Sequence, residues 1–146
     1  MGANYKAKEY IVVNNNFSTQ DPLTWAYAFS SCSIESAAAF DAKRKLVLYN
    51  NKFGTLNDAT RADLMDIHTL FRYYGKFYRN AQECLPHVLG VFLSRTPVIF
   101  TMDNYSGWSA NCRAVPVLEG PQLSGVVLLA HRQNGAELQG GECYCE

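Results

Sequence analysis

The side chains of this chain best suited to chemistry are its histidines, His68, His87 and His131, and its cysteines, Cys32, Cys84, Cys112, Cys143 and Cys145. Cys143-Tyr144-Cys145 offers a pair of thiolates, but a structural zinc closes a full tetrahedral set of ligands. The nearest further donor, His131, lies across a Gly-rich stretch, so no metal site is expected. An odd number of scattered cysteines without an extracellular signature reads as free thiols. The sequence has no nucleophile elbow, phosphate loop, His-Glu-x-x-His or Cys-x-x-Cys. Asp41, Asp63 and Asp66 form no obvious carboxylate pair for acid–base work. No catalytic residue is expected, and the chain is read as a protein that is not an enzyme.

The elements that must position these side chains belong to one globular domain. A length of 146 residues with 48% hydrophobic and 18% charged residues buries a real core. The formal net charge of +0 speaks against direct nucleic-acid binding, which favours a basic excess. The basic run Lys43-Arg44-Lys45 reads as a solvated turn. No apolar run approaches the roughly 18 residues of a membrane helix. The N-terminus is polar through Glu9, unlike a signal peptide, and Lys6 stands where a myristoylation motif wants Ser or Thr. A cytoplasmic protein with no membrane partner is expected.

Residues 1–20 read as a leader, in which Tyr10-Ile11-Val12-Val13 starts a short strand or helix. Asp21-Pro22 caps and opens a helix over 21–31. Apolar blocks at 36–41 and 46–53 form a hairpin. Asn57-Asp58 then reads as a cap before a helix over 59–79, whose apolar stripe is Leu64, Ile67, Phe71, Tyr74 and Tyr78. A second helix covers 82–93, with Pro86 in its first turn. Strands follow at 97–102, 107–117 and 125–132, and the polar tail 133–146 reads as a linker. Strand alternation puts Trp108, Ala110, Cys112 and Ala114 on one face of the fourth strand and Ser109, Asn111 and Arg113 on the other. The first face is mostly small. Either aromatics opposite it, Phe71, Tyr74, Phe77, Tyr78 and Phe92, fill the space, or a small apolar pocket remains.

The order of these blocks resembles a PAS domain over 21–132. In that family a strand ending in Asp (Ser36 to Asp41) leads into a strand ending in an aromatic, Asn and then Phe (Leu46 to Phe53). Later come a Pro-Val turn (Pro116-Val117) and a Gly-Val strand (Gly125-Val126). Two features depart from it: the first turn, Asp41 to Lys45, has no Gly, and the loop Leu118 to Ser124 is long. Asp41 can still close the turn by bonding its own backbone two residues on. The resemblance implies an α+β fold: a five-stranded antiparallel sheet with helices on one face and an N-terminal flanking helix. It implies a sensory domain of a bacterial signalling protein or transcriptional regulator, such as one whose C-terminal effector is a LuxR-type helix-turn-helix. DNA would then be met only through an effector outside this chain.

The same resemblance implies a homodimer and a small apolar ligand held between helices and sheet. The pocket candidates are Phe40, Leu48, His68, Phe71, Phe100, Trp108, Ala110, Cys112, Ala114 and Val127. The alternative is a ligand-free dimerisation or interaction module. In haem-binding relatives a helical histidine ligates iron, which would fall to His68, about 40° from Leu64 on a helical wheel, or to His87. The plainer reading of either is a core or rim histidine. His131, at a strand end, reads as solvated. The flavin-binding subgroup needs a helical Asn-Cys-Arg, whereas Asn111-Cys112-Arg113 lies on a strand. Ala110 and Val127 also stand where flavin-contacting Asn and Gln are usual. Flavin is therefore disfavoured, and no cofactor is expected.

Overall fold

The computed structural model of the chain describes residues 11–12, 36–51 and 53–133. The expected helix over 21–31, most of the leader, the tail beyond Gln133, and Cys32, Cys143 and Cys145 lie outside the described residues.

All five expected strands form, and a short sixth joins them. In chain order they are β1 (Ile11–Val12), β2 (Ser36–Asp41), β3 (Leu46–Asn51), β4 (Val98–Asp103), β5 (Ser109–Glu119) and β6 (Gln122–Gln133). The sheet is antiparallel, in the order β1-β3-β2-β6-β5-β4. Among the described residues, two helices, α1 (Ile67–Tyr74) and α2 (Ala81–Ser94), cross one face.

The β2–β3 turn closes without glycine. The Lys43 and Lys45 amides donate to Asp41 Oδ1 at 2.9 and 3.0 Å. Arg44 takes the left-handed conformation, φ 70°, that a glycine would adopt more easily. The expected loop 118–124 is instead zipped into the ladder, with Glu119 opposite Gln122. Gly120 has φ 62°, and the ring of Pro121 fixes its φ near about −65°. Those signs suit a two-residue type II′ hairpin turn, whose twist matches the flanking strands.

The helix expected over 59–79 forms only at Ile67–Tyr74. Thr60 and Asp63 close one local turn, with the Thr60 amide donating to Asp63 Oδ2 at 2.9 Å. Asp66 then goes extended, with φ −152°, which no continuous helix can pass. Its carboxylate accepts from the Thr69 amide at 3.0 Å, and the Thr69 hydroxyl accepts from the Asp66 amide at 3.1 Å. That reciprocal pair is a capping box, so Asp66, rather than Asn57-Asp58, starts the helix. After α1 the chain turns and Tyr78 pairs with Asn104 beside β4. Helix α2 matches its expected span, but Pro86 lies in its second turn and removes an interior amide rather than one already orphaned at the start.

The sheet has an apolar layer on each face. Ala38, Phe40, Leu46, Tyr49, Val126 and Leu128 share a cluster with both helices. Ala37, Ala39, Val47, Leu48, Val127 and Leu129 form a separate cluster on the other face. A bulge sorts β3 between the two: Ala39 faces Leu48 and Phe40 faces Leu46, leaving Val47 as the extra residue. Val47 and Leu48 therefore both turn away from the helices, and Tyr49 turns toward them.

Candidate functional site

The inner face of β5 carries Ala110, Cys112 and Ala114, all essentially inaccessible. Of the two alternatives, the filled face is the nearer: aromatics from the helical layer supply most of the missing bulk. Phe71 packs edge-on to Tyr74 at 5.2 Å, and Tyr74 packs edge-on to Tyr78 at 6.1 Å. Helical spacing sets Tyr74, one turn beyond Phe71 on α1, whereas Tyr78 lies past the helix and is placed by its bridge to Asn104.

This packing leaves a small cavity of about 20 Å³ between α1 and the sheet, lined in part by Ala38, Leu56, Tyr74, Tyr78, Cys112 and Ala130. That is room for one water or little more. Ser36, Thr55, Phe53, Met102 and Leu128 also line it, so the wall is mixed rather than purely apolar. Burial pushes the Tyr78 hydroxyl up to about 12, an effect partly offset by the Thr55 hydroxyl bonded to it and by the Arg132 charge. Burial also pushes Tyr74 and Cys112 well above their usual ranges. All three polar groups are thus uncharged at neutral pH.

The charge at this site is Arg132, on the inner face of β6 opposite Ala110. Its guanidinium carbon lies 4.1 Å from the Trp108 ring centroid and 5.4 Å from that of Phe53. Phe53 and Tyr78 each pack edge-on to Trp108, at 5.5 and 5.8 Å. Trp108 is half-buried in this cage, and Phe53 and Tyr78 connect it to the cavity wall.

Of the ten expected pocket residues, only Cys112 lines the cavity. Phe40, Phe71, Ala110 and Ala114 are core residues beside it, and Trp108 packs against the same core. Leu48 and Val127 belong to the other face. The bulge turns Leu48 outward, and Val127 stands opposite Val115 and Ala39, both outward. His68 is exposed. Its expected place was measured from Leu64, which lies in a turn outside α1. Relative to Ile67 it stands about 100° round the helix, away from Leu70 and Tyr74. His87 is also exposed and stacks on Phe100 at 6.5 Å. Neither histidine lines the cavity.

Sequence reasoning missed Arg132, Phe53 and Thr55. The usable signal was period: Ala130 and Arg132 follow Leu128 on the same face of a strand. A cation at the inner end of an apolar strand is unusual.

Beside the cavity, the chain after α1 is fixed to the edge of β4. The Asn80 side-chain amide donates to the Thr101 carbonyl at 3.0 Å, and its oxygen accepts from the Asp103 amide at 2.8 Å. The Arg79 amide donates to the Asp103 carbonyl at 2.9 Å. Cys84 Sγ also reaches the Thr101 carbonyl at 3.5 Å. An edge strand otherwise presents these groups as a template for another chain.

No protein-family model matches the sequence, and no curated protein matches it. Solved structures match the fold. The sensor region of a sensor histidine kinase superposes with a TM-score of 0.52 at 12% identity, over 67% of this chain and 38% of that one. A sensory box sensor histidine kinase from Vibrio cholerae gives 0.50 at 12% identity, over 77% of this chain and 88% of that one. An RsLOV d2 variant gives 0.50 at 12% identity, over 81% and 71%. The chain thus spans well under half of the first of these proteins. At this identity the likeness concerns the fold, which is a PAS-like α+β fold.

Proposed function

We propose that this chain is the sensory input domain of a bacterial signalling protein, reading a small ligand between α1 and the sheet. The observation that carries this reading is the position of the cavity. It lies under Tyr74 and Tyr78, where α1 ends and the chain ties itself to the edge of β4 through Tyr78, Arg79 and Asn80. An occupant that displaces Tyr78 works directly on that tie. A ligand acts only through its different affinity for two arrangements, and the two arrangements here are the tie made and the tie loosened. The small volume and exposed histidines fit a small molecule better than haem. In this reading the domain has no catalysis of its own, works in the cytoplasm as a homodimer, and passes its state to an effector. That effector is a kinase or a DNA-binding module such as the LuxR-type helix-turn-helix.

The test pairs native mass spectrometry and an absorption spectrum of freshly purified protein with a thermal-shift screen of small metabolites. Ligands that bind only the folded state raise the melting temperature. A colourless dimer with no added mass and no compound that stabilises it would refute ligand sensing. The same result would favour a ligand-free interaction module, the second reading, which the near-filled cavity of about 20 Å³ supports.

A further inference from the structure

We infer that the ligand is a small organic carboxylate, anchored by Arg132 and extending toward the cavity; the inference rests on the sensory reading above. Arg132 is the last inward-facing residue of β6 whose side chain is described, two positions beyond the cavity-lining Ala130. Its Nε is buried and has no hydrogen-bond partner, a unique state among the described side-chain nitrogens and oxygens. No described carboxylate pairs with it, since the ion pair among the described residues joins Arg79 to Asp103. A buried donor left unmade is costly, and more so on a charged group.

The rings explain what is held and what is left open. Trp108 at 4.1 Å and Phe53 at 5.4 Å contact the cation as π-faces do. Such contacts leave the N–H edges unsatisfied. A guanidinium presents Nε–H and one Nη–H side by side, matching the two oxygens of a carboxylate. A planar, singly charged anion suits one arginine. A phosphate dianion draws on several cations or a nest of amides, and among the described residues neither is seen beside Arg132. The rest of such a ligand would meet Phe53 and Tyr78, which contact this cage and line the cavity together. The uncharged Tyr78 and Thr55 hydroxyls would serve its polar end. With room for about one water, the buried part is short.

The test is the Arg132 Nε–H resonance in a nitrogen–proton correlation spectrum of the full chain, titrated with sodium acetate and sodium butyrate against sodium chloride at equal ionic strength. A saturable shift of that resonance and of the Trp108 indole with carboxylate, absent with chloride, is the expected result. Arg132→Gln should weaken the binding seen at Trp108 by about ten- to a hundredfold, and Arg132→Lys should restore part of it. Circular dichroism shows whether each variant is folded. If Arg132→Gln does not fold, the wild-type shifts alone decide the matter. An identical response to chloride, or no shift with either carboxylate, overturns the inference. Should the metabolite screen instead yield a neutral ligand that shifts Tyr74 and Tyr78 but not Arg132, the sensory reading survives and the anion proposal falls.

Discussion

Ala114→Leu separates a filled core from an open one by the sign of its effect. Ala114 is fully buried on the inner face of β5, opposite Val98 and Leu128, and does not line the cavity. The substitution adds an isopropyl group. If an unfilled pocket lay over β5, each added carbon would gain about 0.8 kcal/mol, or roughly 2.4 kcal/mol in all. The structure instead shows Ala114 in a continuous cluster with both helices, and overpacking such a site costs about 1–3 kcal/mol. The expected outcome is a loss of about 2 kcal/mol, or roughly 8 °C in melting temperature for a domain of this size. Urea unfolding followed by circular dichroism measures it. Ala130→Val, beside the cavity of about 20 Å³, is the internal control. One added methyl group has room, so the change should stay within about 1 kcal/mol of zero. Stabilisation by Ala114→Leu, or a heavier loss at Ala130 than at Ala114, would refute this account of the core.

Other expectations concern the parts around the site. Tyr78 titrates at about 12 in the fold, above its ordinary value of 10.0, because burial favours the neutral form. The native state therefore holds its proton longer than the unfolded chain, and this contribution, complete below pH 10, is lost as pH rises through 12. Alkaline unfolding should thus steepen above pH 10 and flatten in Tyr78→Phe. Tyrosinate absorbance beside circular dichroism checks this, and ordinary tyrosine ionisation in an intact fold would contradict it. Asp66→Ala removes the capping box and should cost about 1 kcal/mol in chemical unfolding. Asn80→Ala opens the edge of β4 and should cost about 1–2 kcal/mol, with faster hydrogen exchange at the Asp103 amide as its local signature.

Much of the fold was legible in local pattern. The blocks 36–41 and 46–53, the inner face of β5 and the span of α2 were all readable from period and from apolar content. What escaped was decided elsewhere. Thr60, Asp63 and Asp66 favour local side-chain bonds over a continuing helix, so an apolar stripe running from Leu64 to Tyr78 gave a helix of 59–79 where eight residues form one, too long by more than three turns. One residue inserted at Val47 reversed the facing of Leu48, because strand period is two and any slip exchanges the faces. Val127 was misplaced for a related reason: its face is set by the register against Ala39 and Val115, which no single strand contains. The site was legible only in part. Small residues on β5 pointed to the right region, but Arg132 matters through an unmade bond, and that is a property of three-dimensional surroundings.

The position of β6 in the sheet has a consequence for how the chain comes together. β6 lies between β2 and β5, and among the described residues it is the strand that joins the β1-β3-β2 side to the β5-β4 side. The β5–β6 hairpin is local and forms early, since contacts close in sequence involve little loop closure. Pairing Ser36 with Ala130 and Asp41 with Gly125 spans most of the described chain. During synthesis, then, β2 and β3 wait with one open edge until nearly the whole domain has left the ribosome. The sheet becomes one piece only when its last strand arrives.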